Sequence, residues 1–227
     1  MLAIKRISSG ALYLACALLL GLALCSELRP DYHVAYGGKL LFAVLASVLL
    51  LSASLIRISY LTDENKKAKT MRACLWTIFA VHSIYLVLLL FVSDRGMQNP
   101  FHIARADYRL YLRMSVNLVP FKSVIAYGRS LLRGELRYSI VNIFGNLFAF
   151  APMGFFLPVL FKKMRSPLKF TLLVTLIVIC VELLQIATLA GACDIDDVIL
   201  NTLGAVLVFL LVQTKPLQKT LKRRHIV

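Results

Sequence analysis

The chain has 227 residues, 59% of them hydrophobic and only 16% charged, with a formal net charge of +15. A mean hydropathy of +0.79 is too apolar for a soluble domain and places the chain among membrane proteins. The five cysteines (Cys16, Cys25, Cys74, Cys180, Cys193) lie in or beside apolar runs without paired or metal-type spacing. That pattern excludes a disulfide scaffold and leaves them as small apolar fillers.

A membrane span needs ~20 residues to cross ~30 Å of hydrocarbon. Apolar runs of about that length occupy residues 7–26, 40–56, 73–93, 140–161, 170–190 and 195–212. The expected fold is an all-α, polytopic transmembrane helix bundle of six spans, or five should a short one (the second or sixth) fail to cross. The first run follows Lys5 and Arg6 and ends in Ala23-Leu24-Cys25. Leu24 is too large for a lipoprotein cleavage site, so this run reads as an uncleaved signal-anchor.

Basic residues set the expected topology. With both termini cytoplasmic, sixteen of the 26 lysines and arginines fall on the inner side, in 1–6, 57–72, 162–169 and the tail from Lys215. The positive-inside rule favours that orientation. The tail Lys222-Arg223-Arg224 then faces anionic membrane lipid. Without aromatic interleaving it does not read as a nucleic-acid surface.

The long outer loop, 94–139, carries two features. Arg105, Arg109 and Arg113 are spaced i, i+4, i+8, a basic stripe if the segment is helical. After Pro120, residues Phe121, Val124, Ile125, Leu131 and Leu132 keep helical spacing, with Lys122, Arg129 and Arg133 largely off that face. This predicts an amphipathic helix in the outer membrane–water interface. There is no internal repeat, so 1–227 reads as a single integral membrane domain.

Polar residues inside the spans are the candidate site. Asn142 and Asn146 share a face of the fourth span. Glu182 and Gln185 do so on the fifth, and Asp194, Asp197 and Asn201 fall at i, i+3, i+7 on the sixth. A tight turn near Gly191 and Ala192 would set Glu182 level with Asn201, and Gln185 with Val198, at ~1.5 Å per residue. All seven would then line one polar pocket in the outer half. Asp196 points ~100° away from Asp197 and is expected to matter less. Asp194 also suits a helix N-cap, and amides in spans can simply join helices. Pro152 and Pro158 predict a kinked fourth span.

Four motifs in order, Asn117-Leu118-Val119-Pro120-Phe121-Lys122, Asn142-Ile143-Phe144-Gly145-Asn146 with Phe150-Ala151-Pro152-Met153-Gly154, Glu182-Leu183-Leu184-Gln185, and Asp194-Ile195-Asp196-Asp197 through Gly204, resemble the VanZ-like family over about residues 35–212. That family is named for a bacterial membrane protein linked to teicoplanin resistance. The resemblance implies a cell-envelope protein and an antibiotic-resistance context. The expected function is non-enzymatic recognition or masking of a lipid-linked or glycopeptide-type ligand at the outer leaflet, with a lipid-linked cell-wall precursor as partner.

Two alternatives come from other classes. One is an intramembrane enzyme in which Glu182, Asp194 and Asp197 hold a divalent cation. No nucleophile or histidine stands beside those carboxylates, so no metal site or cofactor is assigned. The other is a small proton-coupled transporter or flippase with Glu182 as its proton site.

Overall fold

An apolar run that crosses hydrocarbon must satisfy its backbone groups internally, and within a single segment only a helix does so. The computed structural model describes residues 1–28, 36–91, 105–189 and 191–223, and it is all-α apart from one two-residue strand pair. Among the described residues, six helical segments are long and apolar enough to cross a membrane. They are Leu2–Cys25, Leu41–Ile58, Glu64–Phe91, Ser139–Leu160, Pro167–Ala187 and Ile195–Val212. The third begins well before its apolar run because Asp63 caps it: its carboxylate accepts the N–H groups of Asn65 at 2.8 Å and Lys66 at 3.3 Å.

The chain divides into two compact units, Met1–Leu89 with the chain end from Thr220, and Leu90–Lys219. In the first, α1 (Leu2–Leu28) packs along α2 (Tyr36–Ile58), followed by α3 (Glu64–Phe91). Alanines make the close approach possible, with Ala23, Ala43, Ala46 and Ala53 all buried. Hydroxyl pairs join the helices in antiparallel register, Ser9 with Tyr60 at 3.1 Å and Tyr13 with Ser54 at 3.0 Å. The thiols of Cys16 and Cys74 reach the carbonyls of Ala46 and Leu50, which fits the reading of these cysteines as buried fillers.

The second unit holds α4 (Arg105–Ser115), β1 (Val116–Asn117), α5 (Lys122–Leu132), α6 (Leu136–Ala149), α7 (Met153–Leu160), a 3-10 turn (Lys162–Arg165), α8 (Pro167–Ala187), β2 (Cys193–Asp194) and α9 (Ile195–Val212). Helix α10 (Lys215–Arg223) follows. The expected kink in the fourth span is a full break, because Phe150–Pro152 forms a turn and Pro152, lacking an N–H, sits at the N-cap of α7. Pro158 lies within α7 without ending it, and Arg165 Nε donates to its carbonyl at 3.1 Å.

Helix α9 is the centre of this unit, packed by α6, α7 and α8. Two glycines set its spacing. A Cβ on Gly204 would stand 1.7 Å from the Leu147 carbonyl oxygen of α6, and one on Gly154 would stand 2.3 Å from the Ala205 carbonyl oxygen. Backbones touch at both places, the approach that small residues permit between membrane helices. Phe170 of α8 stacks on Phe209 of α9 with ring centroids 4.4 Å apart, above buried Val174 and Val178.

Candidate functional site

The site starts at the end of α8. That helix stops at Ala187, and Leu189 takes a left-handed conformation (φ 57°) that turns the chain out of the helix. The Tyr111 hydroxyl donates to the carbonyl of Gly191. Residues 193 and 194 then run extended and pair in parallel with β1, Val116 opposite Cys193 and Asn117 opposite Asp194. The connection therefore ends in a short extended strand, Cys193–Asp194, rather than passing through a tight turn straight into α9.

This changes the expected depths. Thr202 Oγ1 lies 3.5 Å from Thr175 Oγ1, and the Asp194 N–H donates to Glu182 Oε2 at 3.2 Å. Glu182 is thus level with the start of α9, while Asn201 lies more than a turn deeper. The predicted pairing of Glu182 with Asn201, and of Gln185 with Val198, does not form. Cys193 and Asp194 are extended, so α9 begins later than a tight hairpin would allow. Gln185 instead donates to the Leu90 carbonyl at 3.1 Å.

Asp194 is the N-cap of α9, its Oδ1 accepting the Asp196 N–H at 2.9 Å. The same carboxylate reaches the segment ahead of α5. Oδ1 accepts Asn117 Nδ2 at 3.0 Å, and Oδ2 accepts the Ser123 hydroxyl. Asn117 also donates to Ser123 Oγ at 3.1 Å and accepts the Val119 N–H at 3.3 Å. Both cap and crosslink, Asp194 ties α9 to the entrance of α5.

Asp196 is fully buried, at 0% exposure. Its Oδ1 accepts the Phe121 N–H, and its Oδ2 accepts the N–H groups of Ser123 at 2.7 Å and Val124 at 3.1 Å. The first amides of a helix have no partner within it, and α5 has no capping side chain of its own. Asp196 supplies that cap from another helix, and its negative charge suits the positive end of the α5 dipole. It also holds Phe121 in a left-handed conformation (φ 65°) that a bulky residue rarely adopts. Asp196, expected to point away from the candidate pocket and to matter less than Asp197, does point away from Asp197, but that direction leads into α5, not into solvent.

Asp197 belongs to a second group. Its Oδ1 accepts Asn146 Nδ2 from α6, and its backbone carbonyl accepts Asn201 Nδ2 at 2.8 Å. Asn201 is buried, and its Oδ1 has no hydrogen-bond partner among the described residues. The structure therefore gathers Glu182 with Asp194, and Asn146 with Asp197 and Asn201, as two adjoining clusters at the head of α9. Asn142 lies half-buried one turn before Asn146 on α6. Among the described residues, no group of three or more histidines, cysteines or carboxylates could hold a metal ion.

On the basic loop, Arg109 and Arg113 are exposed on α4, while the Arg105 side chain lies outside the described residues. Burial pushes the Cys193 thiol above its ordinary pKa, reinforced by the Glu182 carboxylate nearby. Tyr111 is likewise raised, chiefly by burial. Sequence reasoning missed Tyr111 and Ser123 altogether. The signal available for Ser123 was the uncapped start of α5, where Pro120 and Phe121 offer no side-chain acceptor.

Six apolar helices and a polar lock at the head of α9 define a multi-pass membrane protein. The VanZ/LLP1 family profile matches residues 76–216, more than half of the chain, and the protein belongs to that family. The match starts within α3 and so covers less of the N-terminal part than the motif reading of 35–212. Comparisons with curated proteins and with solved structures give no match.

Proposed function

We propose that this VanZ-family protein is a non-enzymatic component of the bacterial cell envelope. In this reading it recognises or masks a lipid-linked or glycopeptide-type ligand at the outer leaflet, with teicoplanin-type resistance as one outcome. The observation that carries the proposal is the use of the acidic motif. Asp194, Asp196 and Asp197 each accept hydrogen bonds from amide, hydroxyl or backbone donors that hold α5 and α6 in place. Carboxylates engaged in this way hold the fold together, which supports a structural use of the motif. Arg109 and Arg113 are exposed on α4, open to an anionic ligand. The distribution of basic residues supports cytoplasmic termini and an outer 94–139 segment.

The test is binding of the purified full-length protein to a lipid-linked cell-wall precursor, with magnesium or with a chelator. Saturable binding, with the precursor recovered intact under both conditions, is the expected result. Cation-dependent conversion of the precursor overturns the non-enzymatic reading, and absence of binding overturns recognition.

A further inference from the structure

Helix α5 shows a surface that the polar lock does not use. Its inward side carries half-buried Val124, Tyr127 and Leu131, and packs on α6. Its outward side carries two strips. Lys122, Arg129 and Arg133 fall within about 40° of one another at 100° per residue, and all three are exposed. Beside them Ile125 and Leu132 share a second strip, headed by Phe121 at the N-cap. Phe121 is 57% exposed, Ile125 52% and Leu132 90%. Three large apolar side chains next to an all-basic row form neither a water-facing surface nor a protein core.

The neighbouring chain says what covers them. Only Arg133, Gly134 and Glu135 separate α5 from α6, and Ser139–Leu160 is a span. Helix α5 therefore lies at the level where a transmembrane helix begins, at a membrane–water boundary. Helix N-termini often bind phosphate, but the N-terminal amides of α5 are already taken by Asp196. An anion arriving here meets the side-chain stripe instead.

We propose that α5 is a lipid-docking helix. Lys122, Arg129 and Arg133 bind the phosphates of anionic phospholipid headgroups, while Phe121, Ile125 and Leu132 enter the acyl region beneath them. The docking deepens the reading of the protein as a receptor at the lipid surface and rests on it for the choice of leaflet alone. It places the lipid-phosphate contact on α5 rather than on the arginine row of α4. Asp196 acts as a positioning residue, fixing the helix so that both strips face the bilayer together.

The test uses full-length protein, stripped of lipid and equilibrated with equimolar phosphatidylcholine and phosphatidylglycerol in mixed micelles. Native mass spectrometry counts the lipids retained. Phosphatidylglycerol is expected to be enriched about fivefold or more, since each basic group near an anionic surface contributes on that order. K122Q/R129Q/R133Q should bring the enrichment close to unity, as should about 1 M salt, where the Debye length is ~3 Å. Enrichment that survives the triple variant, or that disappears only in K162Q/K163Q/R165Q/K169Q, overturns the proposal. In bilayers, a fluorophore at Ile125→Cys should be quenched by brominated acyl chains, and an unquenched probe overturns the apolar half. If the wild type enriches phosphatidylglycerol through the stripe yet binds no cell-wall precursor, docking stands and the recognition reading falls. A wild type that binds precursor without enriching phosphatidylglycerol has the opposite meaning.

Discussion

Replacing Asp196 with alanine removes the acceptor for three backbone N–H groups at the start of α5. A hydrogen bond to a charged partner contributes about 1.5–3 kcal/mol, and a lost N-cap alone costs about 0.5–2 kcal/mol. Ser123 and Val124 are only half-buried and Phe121 is exposed, so water recovers part of the loss. The expected net cost is about 2–4 kcal/mol, below the simple sum for three such bonds. It falls on the opening of α5 rather than on the membrane spans. Hydrogen–deuterium exchange in detergent reads this directly: amides 121, 123 and 124 should exchange about 30- to 700-fold faster, at tenfold per 1.4 kcal/mol. Asp196→Asn keeps one acceptor oxygen and turns an N–H donor toward the others, so it should show a smaller acceleration of the same amides. Asp197→Asn should leave them almost unchanged, because its carboxylate faces Asn146. Unchanged protection in Asp196→Ala, or a larger effect from Asp197→Asn, would refute the assignment of Asp196 as the cap of α5.

Four further outcomes follow from the same geometry. Gly204→Ala should cost about 1–3 kcal/mol or more, because its Cβ meets the Leu147 carbonyl, while Gly145→Ala should be tolerated, having open space around it. Thermal unfolding in detergent compares the two, and equal stability would show that α6 and α9 are not in backbone contact. Asn146→Ala and Asp197→Ala should be coupled by about 0.5–2 kcal/mol in a double-mutant cycle, and additive losses would remove the hydrogen bond between them. In a variant whose lone thiol is Cys193, maleimide should react more slowly at pH 8 than with an unburied model thiol. A raised pKa lowers the thiolate fraction at any given pH, so the rate should keep climbing above the pH where the model thiol levels off. For topology, an impermeant reagent in intact cells should label a cysteine placed at 109 and spare one placed at 66, and the reverse pattern would invert the orientation.

The spans were legible in the sequence because length and apolarity are properties of single segments, and lipid leaves such segments one conformation. The family motifs were legible too, since Asn117, Asn146, Glu182 and Asp194 all prove to be tied into the fold. What helical periodicity cannot show is the partner of a residue on another element. It ranks Asp194, Asp197 and Asn201 together because they share a face, and it sets Asp196 aside. The partners of Asp196 lie 72 to 75 residues earlier and are backbone amides, which every residue but proline carries and which no residue type announces.

The same blind spot explains the misjudged depths. A turn read from Gly191 and Ala192 assumes that helix continues on either side, so equal residue counts mean equal depth. Pairing between 116–117 and 193–194 holds the second arm extended, and the Glu182–Asp194 contact replaces the expected Glu182–Asn201 one. Both corrections have one cause: the segment from Asn117 to Val124 reaches the head of α9 and takes the carboxylates of Asp194 and Asp196 for itself, leaving Asp197 to Asn146. The acidic motif thereby builds the start of α5, and in the docking proposed for that helix the chemistry offered to a ligand lies on the basic, apolar surface the carboxylates hold in place rather than on the carboxylates themselves.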